Sequence, residues 1–186
     1  GADDTEDDKL ILDKIANNGT VVLNAAGLVT VNVKDAATVA ADSLNVVIGD
    51  NAGDVGTLTV ADVATINITT TNTFVDNSSV DGSKDKYGNN IADGKDDTDS
   101  SAELALVANK VTTVTIKGAG DLELTNTAPV LKTIDASDMT GALTYTIKSS
   151  VADFALTSGS GADDITVDTS NNAQVKTGAG DDTITV

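Results

Sequence analysis

Two short turns hold the residues best suited to chemistry: Ser158-Gly159-Ser160-Gly161-Ala162-Asp163-Asp164-Ile165-Thr166 and Thr177-Gly178-Ala179-Gly180-Asp181-Asp182-Thr183-Ile184-Thr185. Both follow the nonapeptide G-G-x-G-x-D-x-U-x, where U is large and apolar, with Ser or Thr in place of the first glycine. Glycines let the backbone turn with its carbonyls directed inward, aspartate adds a hard anionic oxygen, and the apolar residue anchors the next strand. That donor set suits calcium. Two nine-residue halves make roughly one turn of a solenoid, so motifs about 19 residues apart stack on the same side. An ion between them would take the Asp163 and Asp182 carboxylates and carbonyls around Gly159, Gly161, Gly178 and Gly180. The intervening Asp168–Ala173 turns on the opposite side and lacks the glycines.

Three other acidic stretches carry weaker versions of this chemistry. Lys117-Gly118-Ala119-Gly120-Asp121 places its aspartate one residue early, which reads as a structural turn, and Asp135 and Asp138 read as turn caps. Within Asp85-Lys86-Tyr87-Gly88-Asn89-Asn90-Ile91-Ala92-Asp93-Gly94-Lys95-Asp96, oxygen donors alternate as in a flexible calcium loop. The candidate ligands there are Asp85, Asn89, Asp93, Asp96 and the backbone carbonyl of Ile91. Tyr87 stands where such loops usually carry Asp, the glycine is displaced, and no flanking helices are evident. Asn18-Gly19-Thr20, Asn67-Ile68-Thr69 and Asn77-Ser78-Ser79 match the N-glycosylation pattern, but a chain this rich in Asn and Thr generates it by chance.

These turns need strands to hold them. Short β-rich runs at Val21–Leu23, Val29–Val33, Leu44–Ile48, Leu58–Val60 and Ala64–Thr70 are separated by Gly, Asn, Asp or Ala. The rhythm resumes at Val111–Ile116, Leu122–Leu124, Leu131–Ile134, Leu143–Ile147, Phe154–Leu156, Ile165–Val167, Gln174–Lys176 and Thr183–Val186, in steps of roughly nine to eleven residues. One such strand cannot fold alone, whereas stacked copies bury a continuous interior. A β-sandwich also uses short strands, but aromatic residues make up only 2% of the chain, fewer than a sandwich core normally employs. The expected class is all-β: a right-handed parallel β-solenoid or β-roll in the C-terminal half, and a β-rich, solenoid-like N-terminal half. Three regions follow: 1–75, β-rich; 76–101, a polar Asp/Gly/Asn-rich inserted loop; and 102–186, a solenoid ending in the calcium-type turns. Leu10, Ile11, Lys14 and Ile15 lie at near-helical spacing within Asp7–Asn17, although Lys9–Leu12 reads equally as a strand.

Composition narrows the partners. The net charge of -18 disfavours nucleic acid and anionic lipid and favours cations. All acids but Glu6, Glu103 and Glu123 are Asp, the shorter side chain that suits turns and compact oxygen sites. Arg, His, Cys and Trp are absent, which argues against zinc, haem and iron–sulfur chemistry and removes the commonest proton shuttle. No apolar run approaches the roughly 20 residues of a membrane-spanning helix, so membrane insertion is not expected, and Gly1–Asp8 is not a basic secretory leader. The start without Met and the strand-like ending at Val186 read as a segment of something larger.

The run Val114-Thr115-Ile116-Lys117-Gly118-Ala119-Gly120-Asp121-Leu122-Glu123-Leu124-Thr125-Asn126-Thr127, followed by Thr133-Ile134-Asp135-Ala136-Ser137-Asp138-Met139-Thr140-Gly141, resembles the segment before the nonapeptides in the RTX-type surface-layer (S-layer) proteins of Gram-negative bacteria. Gly56–Ile68 is similar to that family as well. The resemblance implies a secreted structural protein, exported by the type I route and assembled as a lattice on the bacterial cell surface. It further implies that Ca2+ serves folding and contacts between copies, with cell-surface polysaccharide held through regions outside this chain. Members of the family often carry more than two good nonapeptides. The main alternative is a segment of a calcium-binding RTX repeat adhesin that binds a foreign surface or glycan. A polysaccharide lyase or epimerase fits poorly, because an anionic sugar calls for basic residues and the chain has neither Arg nor His; no enzymatic activity is expected.

Overall fold

The computed structural model describes residues 9–38, 41–49, 54–71, 101–148, 151–168 and 172–186. Fifteen strands fall into two parallel sheets, one of eight strands in the order β1-β3-β5-β7-β9-β11-β13-β15 and one of seven in the order β14-β12-β10-β8-β6-β4-β2. Successive strands alternate between the sheets, so each coil of the chain adds one strand to each. The architecture is a parallel β-solenoid. In the first half the strands are β1 (Lys9–Ile15), β2 (Gly19–Leu23), β3 (Leu28–Val33), β4 (Ser43–Ile48), β5 (Asp54–Ala61) and β6 (Thr65–Thr70). The second half comprises β7 (Ala102–Ala108), β8 (Thr113–Gly118), β9 (Leu122–Thr127), β10 (Thr133–Met139), β11 (Leu143–Ile147), β12 (Phe154–Thr157), β13 (Asp164–Val167), β14 (Ala173–Lys176) and β15 (Thr183–Thr185).

Alternation within each strand sets the two faces. In β4 (SLNVVI) and β6 (TINITT), every second residue is buried and the others are half-exposed, as the two-residue side-chain period requires. Register then turns this pattern into columns: Leu44 pairs with Ile66, Ile66 with Val114, and Val114 with Ile134, all 0–1% exposed. Such columns form one continuous apolar core running from Val21 to Ile165. Each fully buried Leu or Ile contributes about 1.5–3 kcal/mol relative to exposure.

The inserted segment does not divide this core. β5 pairs with β7 and β6 with β8, so both sheets run unbroken from the N-terminal to the C-terminal half. Residues 9–15, where helical and extended readings competed, form strand β1, paired with β3 from Lys9↔Leu28 to Ile15↔Val33 with a register shift between Asp13 and Ile15. Pairing with a neighbouring strand and packing of Leu12 and Ile15 onto the core decide the matter over local spacing. In the last rung burial declines, and Ile184 remains 49% exposed.

The alternation also sorts the corners. Among the described residues, the connections Ala119–Asp121, Thr140–Ala142, Ser158–Asp163 and Thr177–Asp182, which lead from the seven-stranded to the eight-stranded sheet, lie along one edge. Connections in the other sense, such as the one between β3 and β4, lie along the opposite edge. Thr71, after β6, and Ser101, before β7, lie on the same edge as the Gly/Asp turns.

Candidate metal centre

Asp163 and Asp182 immediately precede β13 and β15, whose first paired residues are Asp164 and Thr183, so the two aspartates stack on adjacent rungs. Asp163 is 1% exposed. Its Oδ1 accepts the backbone N–H of Leu143 at 2.7 Å, one rung back, while Oδ2 is buried with no hydrogen-bond partner. Asp182 repeats the geometry by accepting the N–H of Asp163 at 3.1 Å. The carboxylates therefore form a ladder that caps the N–H groups at the strand entrances.

The glycines bring these rungs close. Gly178, at φ +78°, holds its α-carbon where an added Cβ would lie 2.0 Å from the Gly159 carbonyl oxygen, and at Gly180 (φ +124°) it would lie 2.1 Å from the Gly161 oxygen. A side chain at either position would push the rungs apart. Both contacts also show which way those carbonyls point: along the solenoid axis, toward the next rung. The Gly159 carbonyl accepts the Ala179 N–H at 3.0 Å, which leaves one lone pair for any further ligand. Ser158, at the position of the missing first glycine, is buried and donates its hydroxyl to the Thr177 carbonyl at 2.9 Å.

A buried carboxylate oxygen with neither a donor nor a countercharge is expensive to maintain. The ion pairs among the described residues, Lys34–Asp35 and Lys110–Asp62, involve neither aspartate of this corner. A hard cation fits what is missing. Asp163, Asp182 and carbonyls of the two glycine turns would hold it, and when bound it would supply the positive charge that the buried carboxylate lacks. Among the described residues no group of three or more acidic, His or Cys side chains converges, so carbonyls or water must complete such a site.

The remaining sequence candidates separate on geometry. Asp121 is one residue out of phase: Leu122 pairs with Leu143, which sets Asp121 beside Ala142, and its Oδ1 accepts the Ala142 N–H at 2.6 Å. Asp135 caps locally, taking the Ser137 N–H at 3.1 Å and hydroxyl at 2.7 Å beside a break in β10 register. Asp85, Asn89, Ile91, Asp93 and Asp96 lie outside the described residues.

Two features went unread in the sequence. Asp42 is 1% exposed with an unpartnered Oδ2, yet it has no glycine motif around it to draw notice. Asn126 occupies a column otherwise formed by Leu58 and Leu106, and its half-buried amide donates to the Tyr145 hydroxyl. Asn in place of an inward aliphatic was the available signal. These residues, with Phe154 stacked on Tyr145 at 6.4 Å between ring centroids, line a cavity of about 380 Å³.

Searches against protein-family models, characterised proteins and solved structures give no significant match. The fold and the corner chemistry define this chain as a parallel β-solenoid with stacked Gly/Asp turns.

Proposed function

We propose that this solenoid is a calcium-ordered structural segment of a bacterial surface-layer lattice, acting outside the cell, where Ca2+ drives its folding and its assembly with other copies of itself. The observation that carries the reading is the buried, unpartnered Oδ2 of Asp163, stacked one rung from Asp182 in a chain of net charge -18. Without a cation, closely stacked acids oppose folding; with one, the same residues become ligands, and binding free energy becomes folding free energy. Such a chain is less stable at low calcium and gains stability on reaching calcium-rich surroundings. Its long core, built from stacked rungs, suits a load-bearing role.

The test is to strip the protein with EGTA, restore calcium, and follow β structure by circular dichroism and assembly by electron microscopy. Cooperative β structure that appears with calcium, followed by ordered two-dimensional arrays, supports the proposal. Melting that is identical in EGTA and calcium would sink the calcium reading. Calcium-dependent folding of a chain that stays monomeric and binds glycan-coated surfaces would replace the lattice with the adhesin role.

A further inference from the structure

Asp42 lies on the edge of the solenoid opposite Asp163, at the end of the connection from β3 to β4, one residue before Ser43 opens β4. The two aspartates share an environment despite unrelated local sequences. Each directly precedes a strand, each is 1% exposed, and each has a buried Oδ2 without a hydrogen-bond partner. They are the two buried side chains among the described residues that have such an orphaned oxygen.

Three neighbouring N–H groups already have acceptors other than the orphaned oxygen. Ala64 and Thr65 both donate to the Asp42 carbonyl, at 3.0 and 3.1 Å, and the Ser43 N–H is taken by Asn17 Oδ1 at 2.9 Å. Val63, at the next rung's corner, is fully buried, and Ala36 of the β3–β4 connection is buried as well. Neither of the described lysine ion pairs reaches Asp42. Asn17 adds an amide oxygen on the adjoining rung.

We infer that Asp42 is a ligand of a second hard divalent cation, Ca2+ in kind, seated at the β3–β4 corner with Asn17 as a neighbouring oxygen donor and independent of the Gly/Asp turns. A cation satisfies a buried carboxylate where no donor or lysine does, and the aspartate–amide pair is the oxygen chemistry that calcium selects. The site would fasten the N-terminal rungs, which have no glycine motif of their own. It does not depend on surface-layer function.

Calcium chloride titrated calorimetrically into EGTA-stripped protein tests it, in an Asp163→Asn background so that the C-terminal corner does not contribute. Adding Asp42→Asn should remove one bound calcium per chain. Unchanged stoichiometry and affinity in a variant that folds would overturn the inference. If Asp42→Asn does not fold, Asn17→Asp in the same background decides: an added anionic donor should tighten one calcium site by roughly tenfold. Calcium affinity that is unchanged or weaker there would overturn the site.

Discussion

Asp182 reaches back one rung to accept the backbone N–H of Asp163 at 3.1 Å, as Asp163 does to Leu143 at 2.7 Å. One oxygen of the Asp163 carboxylate is thus committed to holding rungs in register, and the other is left over. Structural capping and ion binding are divided between Oδ1 and Oδ2 of the same side chain, which makes them separable by substitution.

Asp163→Asn should reverse its rank against the wild type with calcium. In chelator, Asn keeps an oxygen for the Leu143 N–H and removes an unpaired buried charge, so the variant should be as stable as the wild type or more stable by about 1 kcal/mol. In calcium it should be the less stable of the two, having lost an anionic ligand. Asp163→Ala leaves the Leu143 N–H buried without an acceptor and should cost about 1–3 kcal/mol in both media. Equilibrium denaturation with and without EGTA reads all three; the same order of wild type and Asn variant in both media contradicts the division of roles.

Close approach between rungs should make one glycine irreplaceable and its neighbour dispensable. Gly56 sits at φ +78°, where a Cβ would fall 2.2 Å from the Gly27 carbonyl oxygen, whereas a Cβ on Gly27 meets nothing within 4 Å. Gly56→Ala should exceed the roughly 1–2 kcal/mol of left-handed strain alone, because the clash is with backbone. Gly27→Ala should change the melting temperature little. Equal tolerance of both substitutions would show that the rungs can separate at this corner without cost.

The solenoid itself was legible because its signal is repetitive. Apolar residues at every second position of Leu44–Ile48, Val114–Ile116 and Leu143–Ile147, with turn residues between, leave stacking as the way to bury so many small strands. The Gly/Asp turns were legible for the same reason, and the structure places Asp163 and Asp182 on adjacent rungs. What stayed hidden depends on context beyond the local pattern. Lys9–Ile15 reads two ways until β3 is present to pair with it. Asp42 looks like any loop aspartate until the corner closes over it, and the continuity of both sheets across residues 72–100 rests on pairings such as Leu58↔Leu106 that span the insertion.

Asn126 and Tyr145 should be strongly coupled. Asn126→Leu matches the column formed by Leu58 and Leu106 but strands the Tyr145 hydroxyl, and Tyr145→Phe strands the Asn126 amide. Each single change should cost about 1–3 kcal/mol. The double variant removes both polar groups and should lose less than the sum, with an interaction energy of about 0.5–3 kcal/mol. A double-mutant cycle by urea denaturation measures this; strict additivity would mean that Asn126 and Tyr145 contribute nothing as a pair.

Alkaline pH should weaken the fold through the same tyrosine. Burial of the Tyr145 phenol raises its pKa from 10.0 to about 12, and the hydrogen bond from Asn126 only partly offsets that. The folded chain therefore retains a proton that the unfolded chain has released between those values. Stability from this group is fully present below pH 10 and is lost progressively as pH rises toward 12, since the unfolded state binds fewer protons in that window. The other tyrosine is Tyr87, so the measurement uses a Tyr87→Phe background, with phenolate absorbance followed in the folded protein and stability measured across the same range. Tyr145 should titrate near 12 while folded, and Tyr145→Phe should flatten the stability profile between pH 10 and 12. A phenol that ionises near 10 in the folded chain would place its hydroxyl in water and contradict the burial of Tyr145.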